Sequence, residues 1–97
     1  MKFYDSAAGI AFDVDAAMVQ GVISEINNSH HGMGLGDFYA HINEIAEKSG
    51  LPPVISYEGN WLFNEFNVLN VNVEHTNFNG EPIIILDFNL ERKRIDW

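Results

Sequence analysis

Four side chains have the chemistry to hold a metal ion. His30 and His31 are adjacent, and Asp37 and His41 stand four residues apart. Imidazole and carboxylate are the donors that remain for zinc in a chain without cysteine. A zinc site needs three or four donors converging within about 2.0–2.2 Å of the ion. The histidine pair falls in a glycine-rich stretch, and Asp37 is wanted as the cap of a helix. The spacing therefore points to imidazoles that are solvent-exposed or in local hydrogen bonds, with no metal and no cofactor. Asp13 and Asp15 are a second candidate, since paired carboxylates can act as acid and base. The same pair suits a helix N-terminus, where the helix dipole favours negative charge. Gly32-Met33-Gly34-Leu35-Gly36 leads into a helix, but it lacks the Lys and the spacing of a phosphate-binding loop. Ser6, Ser24, Ser29, Ser49 and Ser56 lie in no nucleophile motif. Catalysis has no clear carrier, and the chain is not expected to be an enzyme.

The elements that must position these residues follow from periodicity. Met18, Val19, Val22, Ile23 and Ile26 recur at helical spacing after Asp13 or Asp15, and Asn27-Asn28 ends that helix. A second helix starts near Asp37, with Phe38, Ile42, Ile45 and Ala46 inward and Glu44, Glu47 and Lys48 outward. Gly50 suits its C′ position, and Pro52-Pro53 prevents continuation. The rest reads as antiparallel sheet. A strand is expected over Val54 to Tyr57, a turn at Glu58-Gly59-Asn60, and a second run from Trp61. Leu69, Val71 and Val73 then alternate with Asn70, Asn72 and Glu74. Asn79-Gly80 signals a turn, within a connection of more than two residues from Thr76 to Glu81. Ile84, Leu86, Phe88 and Leu90 take one face of the last strand, and Asp87, Asn89 and Glu91 share the other with Ile83 and Ile85. The patterns at Lys2 to Tyr4 and Ile10 to Phe12 do not decide whether either adds a strand. The expected fold is α+β: two helices on a three- or four-stranded antiparallel sheet, in a single domain over residues 1–97.

Composition narrows the function classes. The chain has 97 residues, 46% of them hydrophobic, which is enough for one core and too little for two. Its longest apolar run is Ile83-Ile84-Ile85-Leu86, far short of the roughly 20 residues that cross a bilayer. No secretory leader is expected from Met1-Lys2-Phe3-Tyr4-Asp5. Lys and Arg total 5 against 14 Asp and Glu, a net charge of −9. Direct contact with nucleic acid is disfavoured, because phosphates are bound by Lys and Arg. The layout matters more than the total. Phe3 to Glu47 holds seven acids and no Lys or Arg, and Ser49 to Glu91 holds six acids and again no Lys or Arg. Glu44 with Lys48 is the sole obvious i,i+4 ion pair. Eleven asparagines add further hydrogen-bond acceptors.

Small, cysteine-free, acidic chains of this kind look like the nucleic-acid mimics of phages and mobile elements. This one most resembles the DNA-mimicking anti-CRISPR proteins that block the type I-F surveillance complex. The resemblance covers the chain in size, charge and mixed α+β character, and it rests on no shared motif. It implies a stoichiometric inhibitor in the cytoplasm of a bacterial host. Such an inhibitor occupies the basic surface near the tail subunits where target DNA enters, while guide RNA stays bound. Small acidic immunity proteins that neutralise nuclease toxins are the alternative, and composition does not separate the two. In either case the partner is a basic, nucleic-acid-binding protein. The expected contact residues are Asp37, Glu44, Glu47, Glu74, Asp87 and Glu91, forming one continuous negative surface.

Overall fold

The structure, a computed structural model, describes residues 1–55 and 65–92. Its elements run β1 (Lys2–Asp5), β2 (Ile10–Asp13), α1 (Ala16–Asn27), β3 (Met33–Gly34), α2 (Leu35–Lys48), β4 (Phe66–Phe78) and β5 (Glu81–Arg92). Two helices lie on one face of a five-stranded sheet of order β2-β1-β5-β4-β3. The α+β class holds, but the sheet is mixed and wider than the expected three or four antiparallel strands. β1 and β2 form an N-terminal hairpin, and β1 runs parallel to β5, pairing Phe3 with Ile84 and Asp5 with Leu86. β3 is a two-residue strand inside the glycine-rich loop.

The long β4–β5 hairpin is the backbone of the sheet. Its turn is tighter than expected, because Asn79 (φ 52°) and Gly80 (φ 80°) both accept the left-handed region. A two-residue turn of that kind matches the twist of the strands, so β4 continues to Phe78, opposite Glu81. Pro82 fits because it lies one position beyond the end of β1, where its missing N–H breaks no ladder bond. A bulge between Val68 and Asn70 resets the alternation of β4. Val68 and Val71 are therefore both buried, while Leu69 is exposed rather than in step with Val71.

The helix ends follow local chemistry. Asp15, not Asp13, caps α1: its Oδ1 accepts from the Ala17 and Met18 N–H groups at 2.9 and 3.3 Å. Gly34 is the N-cap of α2, so Asp37 is a first-turn acid and not the cap. At the other end, Gly50 N–H donates to the Glu47 carbonyl and Leu51 N–H to the Ala46 carbonyl. That is a Schellman motif, with Gly50 at φ 73°. Val54 and Ile55 are not a strand. They are half-buried and held by Asn43, whose Oδ1 accepts from both N–H groups. The expected strand beyond them, its turn and the run from Trp61 to Asn64 lie outside the described residues.

The core sits between helices and sheet. Val19, Ile23 and Ile26 of α1 and Phe38, Tyr39 and Ile42 of α2 meet Phe3, Val68, Ile84 and Leu86. Phe38 packs edge-on against Tyr39 and Phe88, with ring centroids 5.1 Å apart in each pair. Each large apolar side chain buried there contributes about 1.5–3 kcal/mol. Gly32 permits the approach of its loop to β4. A Cβ there would stand 2.2 Å from the Val68 carbonyl oxygen, and its φ is +70°.

Candidate interaction surface

Among the described residues, helices cover one face of the sheet and leave the other open. In the ladder, residues directly opposite share a face. Phe88 and Leu86 are buried under the helices, so Asp87, Asn89 and Glu91 point to the open side. Asn72 stands opposite Asp87, Asn70 opposite Asn89 and Asn67 opposite Glu91. Glu74 is two residues past Asn72, diagonal to Asp87 at about 7–8 Å. Thus Glu74, Asp87 and Glu91 share one surface with four amides.

Among the described residues, basic charge is kept off this acidic stretch. Lys2 is the one basic side chain among the described residues that the alternation places on the open face, at its far end. It pairs with Glu81 at 2.7 Å, and that contact raises its pKa above the ordinary 10.5. Arg92 stands opposite Phe66, on the helix-covered side, and reaches Glu65 at 3.6 Å. Among the described residues no base pairs with Glu74, Asp87 or Glu91. Lys93 and Arg94 lie outside the described residues.

The helical acids are elsewhere. Asp37, Glu44 and Glu47 are on the exposed side of α2, which packs on the opposite face of the sheet. Glu44 pairs with Lys48 at 3.5 Å, as its spacing suggests. The expected single surface is therefore two surfaces, separated by the thickness of the fold. The cause is the alternation itself: the faces of β4 and β5 that seat the helices are those that exclude the strand acids.

Toward the hairpin turn the open face changes character. Tyr4, Ile83, Ile85 and Phe78 line a groove of about 910 Å³, with Lys2 and Asp13 at its rim. Phe78 is 68% exposed, the most exposed large apolar side chain among the described residues. Asp13 is held by the N-terminal ammonium at 2.8 Å. Acids with asparagines thus occupy one end of the open face, and an apolar groove the other.

His30, His31, Asp37 and His41 are not brought together. Among the described residues no group of three or more His, Asp or Glu side chains is placed to hold a metal ion. His31 N–H donates to Ser29 Oγ within its own turn. Asp15 caps α1, and Asp13 accepts from the N-terminal ammonium, so each carboxylate engages a different group. No helix of the described residues is long and apolar enough to cross a membrane.

Sequence reasoning missed three polar positions. Asp5 is fully buried, where its carboxylate accepts from the Ala7 and Ala8 N–H groups and from Tyr39 Oη at 2.5 Å. An Asp ahead of Ser-Ala-Ala-Gly is a turn signal that could have located it. Asn27 and Asn43 spend their amides on backbone groups of Val71, Val54 and Ile55. Of the asparagines read as surface acceptors, these two are therefore structural. No protein-family model, curated protein or solved structure matches this chain.

Proposed function

We propose that the protein is a DNA-mimic inhibitor of a type I-F CRISPR surveillance complex in the bacterial cytoplasm. It lays the open face of its sheet on the basic surface near the tail subunits that takes up target DNA. Target DNA is excluded and guide RNA stays bound. The observation that carries this reading is the set of Glu74, Asp87 and Glu91 on one face without a basic partner among the described residues. Carboxylates placed over Lys and Arg replace phosphates, and complementary potential speeds association. The groove at the hairpin end, with Phe78, supplies the apolar anchor that lasting affinity requires. The helical acids Asp37, Glu44 and Glu47 stay on the far side and act through the overall field alone.

The test is competition for a purified type I-F complex between this protein and labelled target duplex. Wild type is expected to displace the duplex. Reversing Glu74, Asp87 and Glu91 together to Lys is expected to weaken inhibition at least about a hundredfold. The same reversal at Asp37, Glu44 and Glu47 should change it by about threefold or less. Wild type that leaves duplex binding untouched, or a helix triple as damaging as the sheet triple, overturns the assignment. Tight binding to a basic nuclease toxin in place of the complex would assign the immunity role instead.

A further inference from the structure

A strand at the margin of a sheet carries backbone N–H and C=O groups that pair with nothing inside the molecule. β3 covers β4 only at Asn67 and Val68. At Val71 the side chain of Asn27 takes the place of a neighbouring strand. Val71 N–H donates to Asn27 Oδ1 at 2.8 Å, and Asn27 Nδ2 donates to the Val71 carbonyl at 3.1 Å. Val71 thus turns both backbone groups away from β5. An antiparallel ladder alternates, so Val73, His75 and Asn77 turn theirs outward too. Among the described residues nothing bonds to those three N–H and three C=O groups. All three residues are exposed. Proteins blunt such edges with Lys, Pro or a bulge. The bulge of β4 lies ahead of this stretch, and from Asn70 to Phe78 there is neither Lys nor Pro.

We propose that the outer edge of β4 over residues 73–77 receives a β-strand from a basic protein partner, with Lys or Arg beside Glu74 and an apolar residue beside Val73. Charge selects this occupant. Glu74 projects from the segment on the open face, Asp87 is its diagonal neighbour, and neither has a basic partner among the described residues. A second copy would bring another chain of net charge −9 against them. A strand carrying Lys or Arg meets complementary potential. On the strand's other side Val73 is 38% exposed, at the margin of the helix-covered face, and an apolar neighbour extends the core over it. In strand addition the main-chain bonds give affinity and the alternating side chains give specificity. The edge stands on the hydrogen-bond pattern alone, whereas the charge of its occupant rests on the reading of a basic partner.

Isotope-labelled protein titrated with a peptide of alternating Val and Lys, and with its Val–Glu counterpart, decides the matter. The expected result is slowed amide exchange at Val73, His75 and Asn77 with the Val–Lys peptide and not with the Val–Glu peptide. His75→Pro removes one outward N–H and leaves the β4–β5 ladder intact. Its thermal midpoint should stay within a few degrees of wild type, while peptide affinity falls at least about tenfold. Glu74→Lys should reverse the preference between the two peptides, and it decides the question even where His75→Pro does not fold. Unprotected amides in wild type, or full affinity in folded His75→Pro, overturn the proposal. A wild-type dimer that protects the same amides also overturns it, since the edge then belongs to a second copy. Competition on the surveillance complex judges the inhibitor reading separately, so either can fail alone.

Discussion

Asp5 is the one charged or polar residue that the fold buries among those described, and it is satisfied locally. Two backbone N–H groups and the Tyr39 hydroxyl surround its carboxylate. A buried carboxylate without such partners would cost several kcal/mol. Burial and the Asp5 carboxylate together push the Tyr39 phenol far above its ordinary value of 10.0. The sign of the linkage follows. The unfolded chain loses this proton near pH 10, while the folded chain keeps it, so stability is full below pH 10 and falls above it. The fall approaches about 1.4 kcal/mol per pH unit for a single such group. Tyr39→Phe is expected to cost about 1–3 kcal/mol at neutral pH. It should also flatten the decline above pH 10, read by urea denaturation across the alkaline range. An unchanged alkaline slope would show that another group governs it. The turn that follows Asp5 is legible in the sequence, but the burial of its carboxylate is not, because that depends on a helix 34 residues away.

At the scale of elements, both helices were legible because their signals are local. Asp15, Gly50 and the apolar stripes act within a few residues, and those stretches form as their spacing predicts. The β4–β5 pairing was legible for the same reason, through the alternation that ends at Asn79-Gly80. The parallel contact of β1 with β5 was not, since it joins strands some 80 residues apart through a four-residue segment with no distinctive pattern. The candidate surface was legible in half. The strand acids fall together because alternation fixes their face, whereas the merger with the helical acids needed the layer order. Asn27 links the two layers. Reading it as a helix terminator was correct but incomplete, because its amide also plugs the edge of β4. Asn27→Ala should cost about 1–3 kcal/mol by leaving the N–H and C=O of Val71 unpaired. Faster exchange at the Val71 amide, with β5 amides unchanged, would locate the loss. A midpoint within error of wild type would mean that water replaces the side chain fully.

At the scale of the whole molecule, one excess of charge acts in two directions. The four ion pairs among the described residues are all exposed, with side chains 38–75% accessible, so each contributes little. Against them stands a net charge of −9, confined to a body of 49 × 25 × 22 Å. Diagonal neighbours such as Glu74 and Asp87, about 7–8 Å apart, stand within one Debye length at about 0.1 M salt, where that length is about 10 Å. Self-repulsion should dominate the electrostatics of the free protein. Raising sodium chloride from about 0.05 to about 0.5 M is expected to increase the thermal midpoint by a few degrees. The same change should weaken binding to the proposed basic partner, because it screens the attraction between opposite charges. Opposite signs in the two titrations are what a surface kept acidic for a partner produces, with stability given up in the free state. A midpoint that falls with salt would show that the ion pairs outweigh the repulsion. Binding indifferent to salt would move the weight of recognition from Glu74, Asp87 and Glu91 to the groove beside Phe78.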